Sequence, residues 1–471
     1  MKMERLKSPR FLFLAAHLPQ MALGVVIVLF FSRLVSTIEF GVFAKAFAFV
    51  NIASALLYGW MQMAFMRKAA GSSESAPLDI STIVISLLSP LLPVCVAVSL
   101  LSFAGFLEAP AAVGLAAIAY ASSNALSQYA RGLNSPRLYA VIGLVRFLGI
   151  LVLGFIFAKY LPTASSLILA VAIGSLLSIP PALVFASRKI RCLCVKTGES
   201  IRKETIKSLF AYGAPASVSM LAVMIMIHGD RFLASNWLSP DLLGRYSAQV
   251  DIARQIVYPV IAALATSLVP TALSRHRRQG ESDALQFIAL ESQSLLRLTL
   301  PLVLTVAFFP GLVMDLLLPD SYSVLVESAA GLSGLAAWLM ACRLVMFDPV
   351  FHLLTKPGLI AISALGGLLT WLVVIAPMTS MLGANGLAGA GLFSSGVSFL
   401  VAFVLGLRLR LQHRFLDSSS VLLVFSGAGV FLVFKIFADY GYLENSFAAI
   451  SAAGLTVFVA LLLAKRRNSN G

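Results

Sequence analysis

Charge is scarce in this sequence. Only 12% of its 471 residues are Asp, Glu, Lys or Arg, where soluble domains carry about 25%. With 59% hydrophobic residues and a mean hydropathy of +0.93, the shortage excludes a water-soluble globule, because no single core could hide that much apolar surface. Cysteine is scarce too. Of the four, Cys95 and Cys342 lie inside apolar runs, and Cys192 and Cys194 share a basic loop with no second ligand pair, so neither a disulfide framework nor a metal site is expected. Also missing are a phosphate-binding Gly loop, HExxH, Gly-x-Ser-x-Gly and any paired-carboxylate motif. A polytopic glycan polymerase or ligase presents a sizeable external catalytic loop. The longest loop here, about 187–207, is basic and reads as cytoplasmic, so an enzyme and a cofactor are not expected.

What is present is a series of apolar runs of the ~20 residues that cross a ~30 Å hydrocarbon core as a helix. Fourteen are expected, near 11–31, 39–63, 81–104, 110–130, 138–158, 164–186, 208–236, 245–271, 286–311, 322–344, 357–379, 385–407, 418–438 and 446–464. The first is too long for a signal-peptide core and no small-residue cleavage site follows it, so it reads as a span. The 33 Gly and 20 Pro are scattered through these runs, as neighbouring helices in a bundle permit.

A net charge of +15 would suit a nucleic-acid partner, but the placement of the charges argues otherwise. Of 35 Lys and Arg, 25 fall on one side of the alternating spans, in clusters such as Arg67 and Lys68, Arg188 to Lys207, Arg275 to Arg278 and Lys465 to Arg467. The opposite loops hold Arg33 and Lys159, with Arg245 at a boundary. This is the positive-inside pattern, and it predicts an even number of spans with both termini in the cytoplasm and no nucleic-acid partner.

An internal repeat is legible. Ser36-Thr-Ile-Glu-Phe-Gly-Val-Phe-Ala44 recurs as Ser239-Pro-Asp-Leu-Leu-Gly-Arg-Tyr-Ser247, matching Gly41 to Gly244 and Phe43 to Tyr246. Leu133-Asn-Ser-Pro136 likewise aligns with Leu354-Thr-Lys-Pro357. Two six-helix halves of like orientation are expected, related by a pseudo-axis along the membrane normal, as in transporters that bind cargo between repeats. The expected organisation is a bundle over 1–190, a basic linker over 191–207, a second bundle over 208–411, and a helix pair with a cytoplasmic tail over 412–471.

Ser32-Arg-Leu-Val with Glu39-Phe-Gly-Val-Phe-Ala44, and Asp230-Arg-Phe-Leu-Ala with Leu243-Gly-Arg-Tyr-Ser-Ala248, resemble the polysaccharide transporter (Wzx-type) flippases. The resemblance implies the fold of the multidrug/oligosaccharidyl-lipid/polysaccharide exporter superfamily: an all-α polytopic membrane protein with two helical bundles around a central cavity. It implies movement of a polyprenyl-diphosphate-linked oligosaccharide across a bacterial inner membrane. Membrane lipid and other polysaccharide-assembly proteins would be its partners. A cation-coupled drug exporter of the same superfamily and a fourteen-span lipid II-type flippase are the rival readings.

Seven basic residues fall within the expected spans: Lys45, Arg146, Arg231, Arg254, Arg297, Arg343 and Lys435. A cation there costs at least ~2.5 kcal/mol, so such residues face a bundle interior or a hydrated cavity. Lys45, Arg343 and Lys435 lie near span ends and are expected to snorkel. Arg146, Arg231, Arg254 and Arg297 are the expected contacts for cargo phosphate, because a guanidinium grips two oxygens at once. Asn124 and Gln128, in line with Arg131 on one face of span four, suit a glycan-facing wall or, equally, hydrogen bonding between helices. Asp230, Asp251 and Glu291 are the expected intramembrane acids and candidates for H⁺ or Na⁺ coupling. Asp251 with Arg254 could instead form a structural pair at i, i+3, while the adjacent Asp230 and Arg231 point about 100° apart and are expected in different contacts. Seven buried cations against three acids favour an anionic cargo over a cationic drug.

Overall fold

The structure, a computed structural model, describes residues 9–70, 80–103, 109–133, 135–184, 203–265, 268–322, 327–354, 356, 358–409 and short stretches between 428 and 456. Among these residues the chain is all helical, with no strand. It forms two compact units, Met1–Ser247 and Ala248–Gly471. The first contains α1 (Pro9–Leu34), α2 (Thr37–Ala70), α3 (Ile80–Leu88), α4 (Leu91–Phe103), α5 (Pro110–Gly132), α6 (Pro136–Tyr160), α7 (Ala164–Leu177), α8 (Lys203–His228), α9 (Asp230–Ala234) and the first turns of α10 (Pro240–Ala265). The second holds the rest of α10, then α11 (Leu268–Gln279), α12 (Glu281–Phe308), α13 (Pro310–Leu317), α14 (Glu327–Met346), α15 (Asp348–Leu353) and α16 (Gly358–Arg408). Helix α8, assigned by sequence to the second bundle, packs against α2 in the first unit.

Local chemistry sets the breaks. Pro110, Pro136 and Pro310 open α5, α6 and α13 at the first helical turn, where a missing N–H costs nothing. Nine segments among the described residues are long and apolar enough to cross a membrane. One of them, α16, runs for 51 residues, more than twice what a bilayer needs. It reverses at Gly383, whose φ of 55° and ψ of −131° suit a residue without Cβ. Ser398 Oγ then donates to the carbonyl of Ser363 at 2.9 Å, so the two arms lie side by side and correspond to the spans expected at 357–379 and 385–407. Helices α5 and α10 are also of spanning length, 23 and 26 residues, but their polar residues keep them out of the apolar set.

In the first unit α2 packs on α5 and α8, and α6 on α1 and α7. The α6–α7 crossing is close enough that a Cβ on Gly149 would stand 3.0 Å from the Cα of Gly174. Small residues permit that approach where apolar burial alone gives no drive between helices in lipid. Leu148, Val152 and Phe155 of α6 face outward as lipid-facing residues do. In the second unit Phe431, Ala448, Ala449 and Ala452 cluster with Leu300, Leu304 and Phe309, so described parts of the C-terminal segment pack against α12 and its end. Most of the spans expected at 418–438 and 446–464 and most of the basic linker, with Cys192 and Cys194, lie outside the described residues.

Candidate functional site

Helices α5 and α6 meet at a short reversal between Gly132 and Pro136, so residues about ten before and about ten after it stand at the same depth. That register brings Asn124 and Arg146 together. Arg146 is 7% exposed, and its Nη1 donates to Asn124 Oδ1 at 2.5 Å and to Ser123 Oγ at 3.5 Å. The guanidinium carbon lies 5.2 Å from the centre of the Tyr120 ring and 4.8 Å from that of Phe147. Its Nε is buried with no hydrogen-bond partner among the described residues. No carboxylate is among its contacts with the described residues.

Around this cation the packing is polar. Ser123 Oγ also meets Ser178 Oγ at 2.8 Å. Two turns before Arg146 on the same face of α6, Tyr139 bonds through its hydroxyl to His17 Nδ1 at 2.5 Å and stacks on that ring, while Gln20 donates to the Tyr139 carbonyl at 3.4 Å. His17 and Tyr139 lie within electrostatic range of both Arg131 and Arg146. Sequence reasoning missed His17, Gln20 and Tyr139. The i, i+7 spacing of Tyr139 and Arg146 was a signal, but a lone His in an apolar run gave none. The polar stripe on α5 is divided: Asn124 turns to Arg146, and Gln128 accepts from Arg131 at 3.0 Å.

The other expected cations behave differently. Arg231 is 1% exposed and pairs with its neighbour Asp230 at 3.1 Å, against the expectation of separate contacts. The long side chain folds back along the helix, where Nη1 also donates to the Ile227 carbonyl at 2.9 Å, so the angle between adjacent residues is no obstacle. The second Asp230 oxygen accepts from the Tyr246 hydroxyl at 2.8 Å. Arg254 and Arg297 lie half-buried in the second unit with Asp251 and Glu291, and each of the four is engaged by other groups. Arg343 does not snorkel. Helix continues past the expected end at 344 to Leu353, which leaves Arg343 only 4% exposed, 3.5 Å from Asp348 and donating to Ser398 Oγ at 2.8 Å. Asp348, 6% exposed, is thus a buried acid that the expected set lacked.

The two copies of the repeat touch. A Cβ on Gly41 would stand 2.9 Å from both the Gly244 nitrogen and the Pro240 carbonyl oxygen. One on Gly244 would lie 2.6 Å from the Thr37 carbonyl carbon and closer still to its oxygen. Thr37 Oγ1 donates to Asp241, which also holds Arg245 at 2.9 Å. Asp241 stands outside the expected spans, and the hydrogen bond from Thr37, with help from Arg245, holds its carboxyl below the usual carboxylate range despite some desolvation. In the same first turn of α2 Glu39 accepts from the backbone N–H of Ala164 at 2.6 Å and so closes the start of α7.

The profile of a family described as polysaccharide biosynthesis protein matches residues 10–275. A putative O-antigen transporter of Shigella flexneri is 23% identical over 175 residues, which is 36% of this chain and 38% of that protein's length. Among solved structures, the lipid II flippase MurJ in an inward closed conformation superposes with a TM-score of 0.69 at 12% identity, over 98% of this chain and 99% of its own. The eukaryotic MATE transporter AtDTX14 superposes with a TM-score of 0.62 at 14% identity, over 88% of this chain and 99% of its own. These likenesses show that the chain shares their fold.

Proposed function

The chain belongs to the polysaccharide biosynthesis protein family, and we propose that it is a flippase, not an enzyme, which moves a polyprenyl-diphosphate-linked oligosaccharide across the bacterial inner membrane. The cargo is an O-antigen or exopolysaccharide repeat unit, and the direction is from the cytoplasmic to the periplasmic leaflet. Such a cargo needs cationic donors for its phosphates and hydrogen-bonding groups for its sugars. Arg146 carries the reading: a buried guanidinium that meets two aromatic rings and two neutral oxygens, with no carboxylate among its contacts with the described residues. A fixed charge kept in that setting stabilises an anion strongly, because little solvent screens it. Asn124, Gln128 and Arg131 extend the polar face. Arg254 and Arg297 are proposed further contacts, whereas the charge of Arg231 is met by Asp230. Alternating access is supported by the contact of the repeat copies at Gly41 and Gly244, where closure depends on two helix ends without side chains between them.

The test is complementation of a strain lacking its own transporter, with surface glycan normalised to protein in the membrane. Arg146→Ala removes charge-assisted hydrogen bonds worth about 1.5–3 kcal/mol each, so export should fall roughly tenfold or more at unchanged abundance. Arg146→Lys keeps the charge, loses the fork and should retain part of the activity. Normal export by Arg146→Ala would overturn the assignment.

A further inference from the structure

We propose that Tyr120 and Phe147 are positioning residues that hold Arg146 so that its Nε–Nη2 edge meets two oxygens of a single anionic group of the cargo. The inference rests on the reading of Arg146 as the cargo contact. It follows from counting donors. A guanidinium has five N–H groups. Both bonds that Arg146 makes to α5 leave from Nη1, toward Asn124 and Ser123. The edge left unused, Nε with Nη2, matches the spacing of two oxygens on a phosphate or a carboxylate. Nε is buried and has no hydrogen-bond partner among the described residues, a state that folding alone would disfavour.

The rings explain how the charge is kept there with that edge free. An aromatic face attracts a cation through its quadrupole and uses none of the N–H groups. Tyr120 at 5.2 Å and Phe147 at 4.8 Å thus offset part of the desolvation, where a carboxylate would have taken the donors instead. Their placement is fixed by the helices. Phe147 is the next residue along α6, and Tyr120 lies on α5 one turn before Asn124. Tyr120 is itself buttressed by Phe47 of α2 at 5.6 Å edge-on, and Phe47 stacks on Phe43 at 5.8 Å. The oxyanion could be a phosphate of the lipid diphosphate or the carboxylate of an acidic sugar, since both present paired oxygens.

Full-length protein in lipid nanodiscs is titrated calorimetrically with inorganic pyrophosphate and, separately, with D-glucuronate. Phe147 is replaced by its mono-, di- and trifluorinated forms, which keep the ring's shape while draining its face of electron density. Binding of at least one probe should weaken stepwise with fluorine number, by about tenfold in all. The responding probe identifies the source of the oxyanion. Tyr120→Leu should weaken binding to a similar extent, and Tyr120→Phe, which keeps the face, should restore it. If fluorination leaves affinity unchanged while Arg146→Ala abolishes binding, the clamp is refuted and the Arg146 contact stands. If Arg146→Ala binds both probes as the wild type does, or the wild type binds neither, the underlying reading fails with it.

Discussion

Replacing Gly244 by Ala should force the helix ends of α2 and α10 apart. The added methyl would sit 2.6 Å from the Thr37 carbonyl carbon, and both partners are backbone, so no side chain can swing away. Carbon atoms rest about 3.5–4.0 Å apart, which requires a separation of about 1 Å or more at the crossing. The hydrogen bond from Thr37 to Asp241 spans the same gap and should be lost with it. Forcing a methyl into a packed contact costs typically 1–3 kcal/mol, and a hydrogen bond to a charged group adds about 1.5–3. Because each 1.4 kcal/mol is tenfold, the equilibrium of the proposed closure should shift toward the open form by about two to four orders of magnitude. A Cys-free background with Ser247→Cys, fully buried one turn after Gly244, labelled by a membrane-impermeant maleimide in whole cells, reads this as faster labelling, accompanied by reduced glycan export. Gly391→Ala is the control, since nothing stands within 4 Å of a Cβ there. Wild-type labelling and export in Gly244→Ala would show that the repeat contact is not a closure.

Reporter fusions after Arg191 and Arg277 should read cytoplasmic, and those at Asp320 and Gly383 periplasmic; a periplasmic signal in the 187–207 loop would reverse the topology. Asp348→Ala strands the Arg343 charge 4% exposed, so thermal unfolding in detergent should shift down by the equivalent of about 3–5 kcal/mol, and the double variant Arg343→Met with Asp348→Leu should recover most of the loss. Asp241 is held below the usual carboxylate range, so its contribution to closure is full above the unfolded value near pH ~4 and is lost as pH falls through the lowered value. Labelling at Ser247→Cys should accordingly rise on strong acidification and become insensitive to acid in Asp241→Asn.

The helices were legible because the signals were redundant. Apolar length, basic loops and prolines all mark the same boundaries, and the reversal at Gly383 falls between the two spans read on either side of it. Where a single signal had to serve, the reading failed. Arg343 looked like a charge at a span's end, and Asp348 was not among the acids expected in the membrane. As a pair across the break at Phe347 they are compatible with a helix running on to Leu353. His17 and Tyr139 are 122 residues apart and carry no motif, so only packing brings them together. The repeat was visible in sequence, but that its two glycines touch is a tertiary fact: a glycine match gives equivalence, and the absent Cβ gives contact only once the helices cross.

The buried arginines sort by what meets their charge, and the sorting decides which of them can serve a cargo. Arg231 faces Asp230 at 3.1 Å and Arg343 faces Asp348 at 3.5 Å, both within their own unit. An incoming anion would have to displace a carboxylate from either, and separating a buried pair costs about 3–5 kcal/mol before any contact is made. Through further hydrogen bonds to Ile227, Tyr246 and Ser398 these pairs tie helices together, and they are poor at catch and release. Arg146 is held by ring faces and neutral oxygens, none of which must leave when an anion arrives. The rings contribute a modest attraction, about 0.5–2 kcal/mol each, enough to keep the charge in place and too little to compete with a phosphate or carboxylate. A transporter must bind its cargo and then let it go, so a cation partly satisfied by groups that stay put suits the task better than one already neutralised.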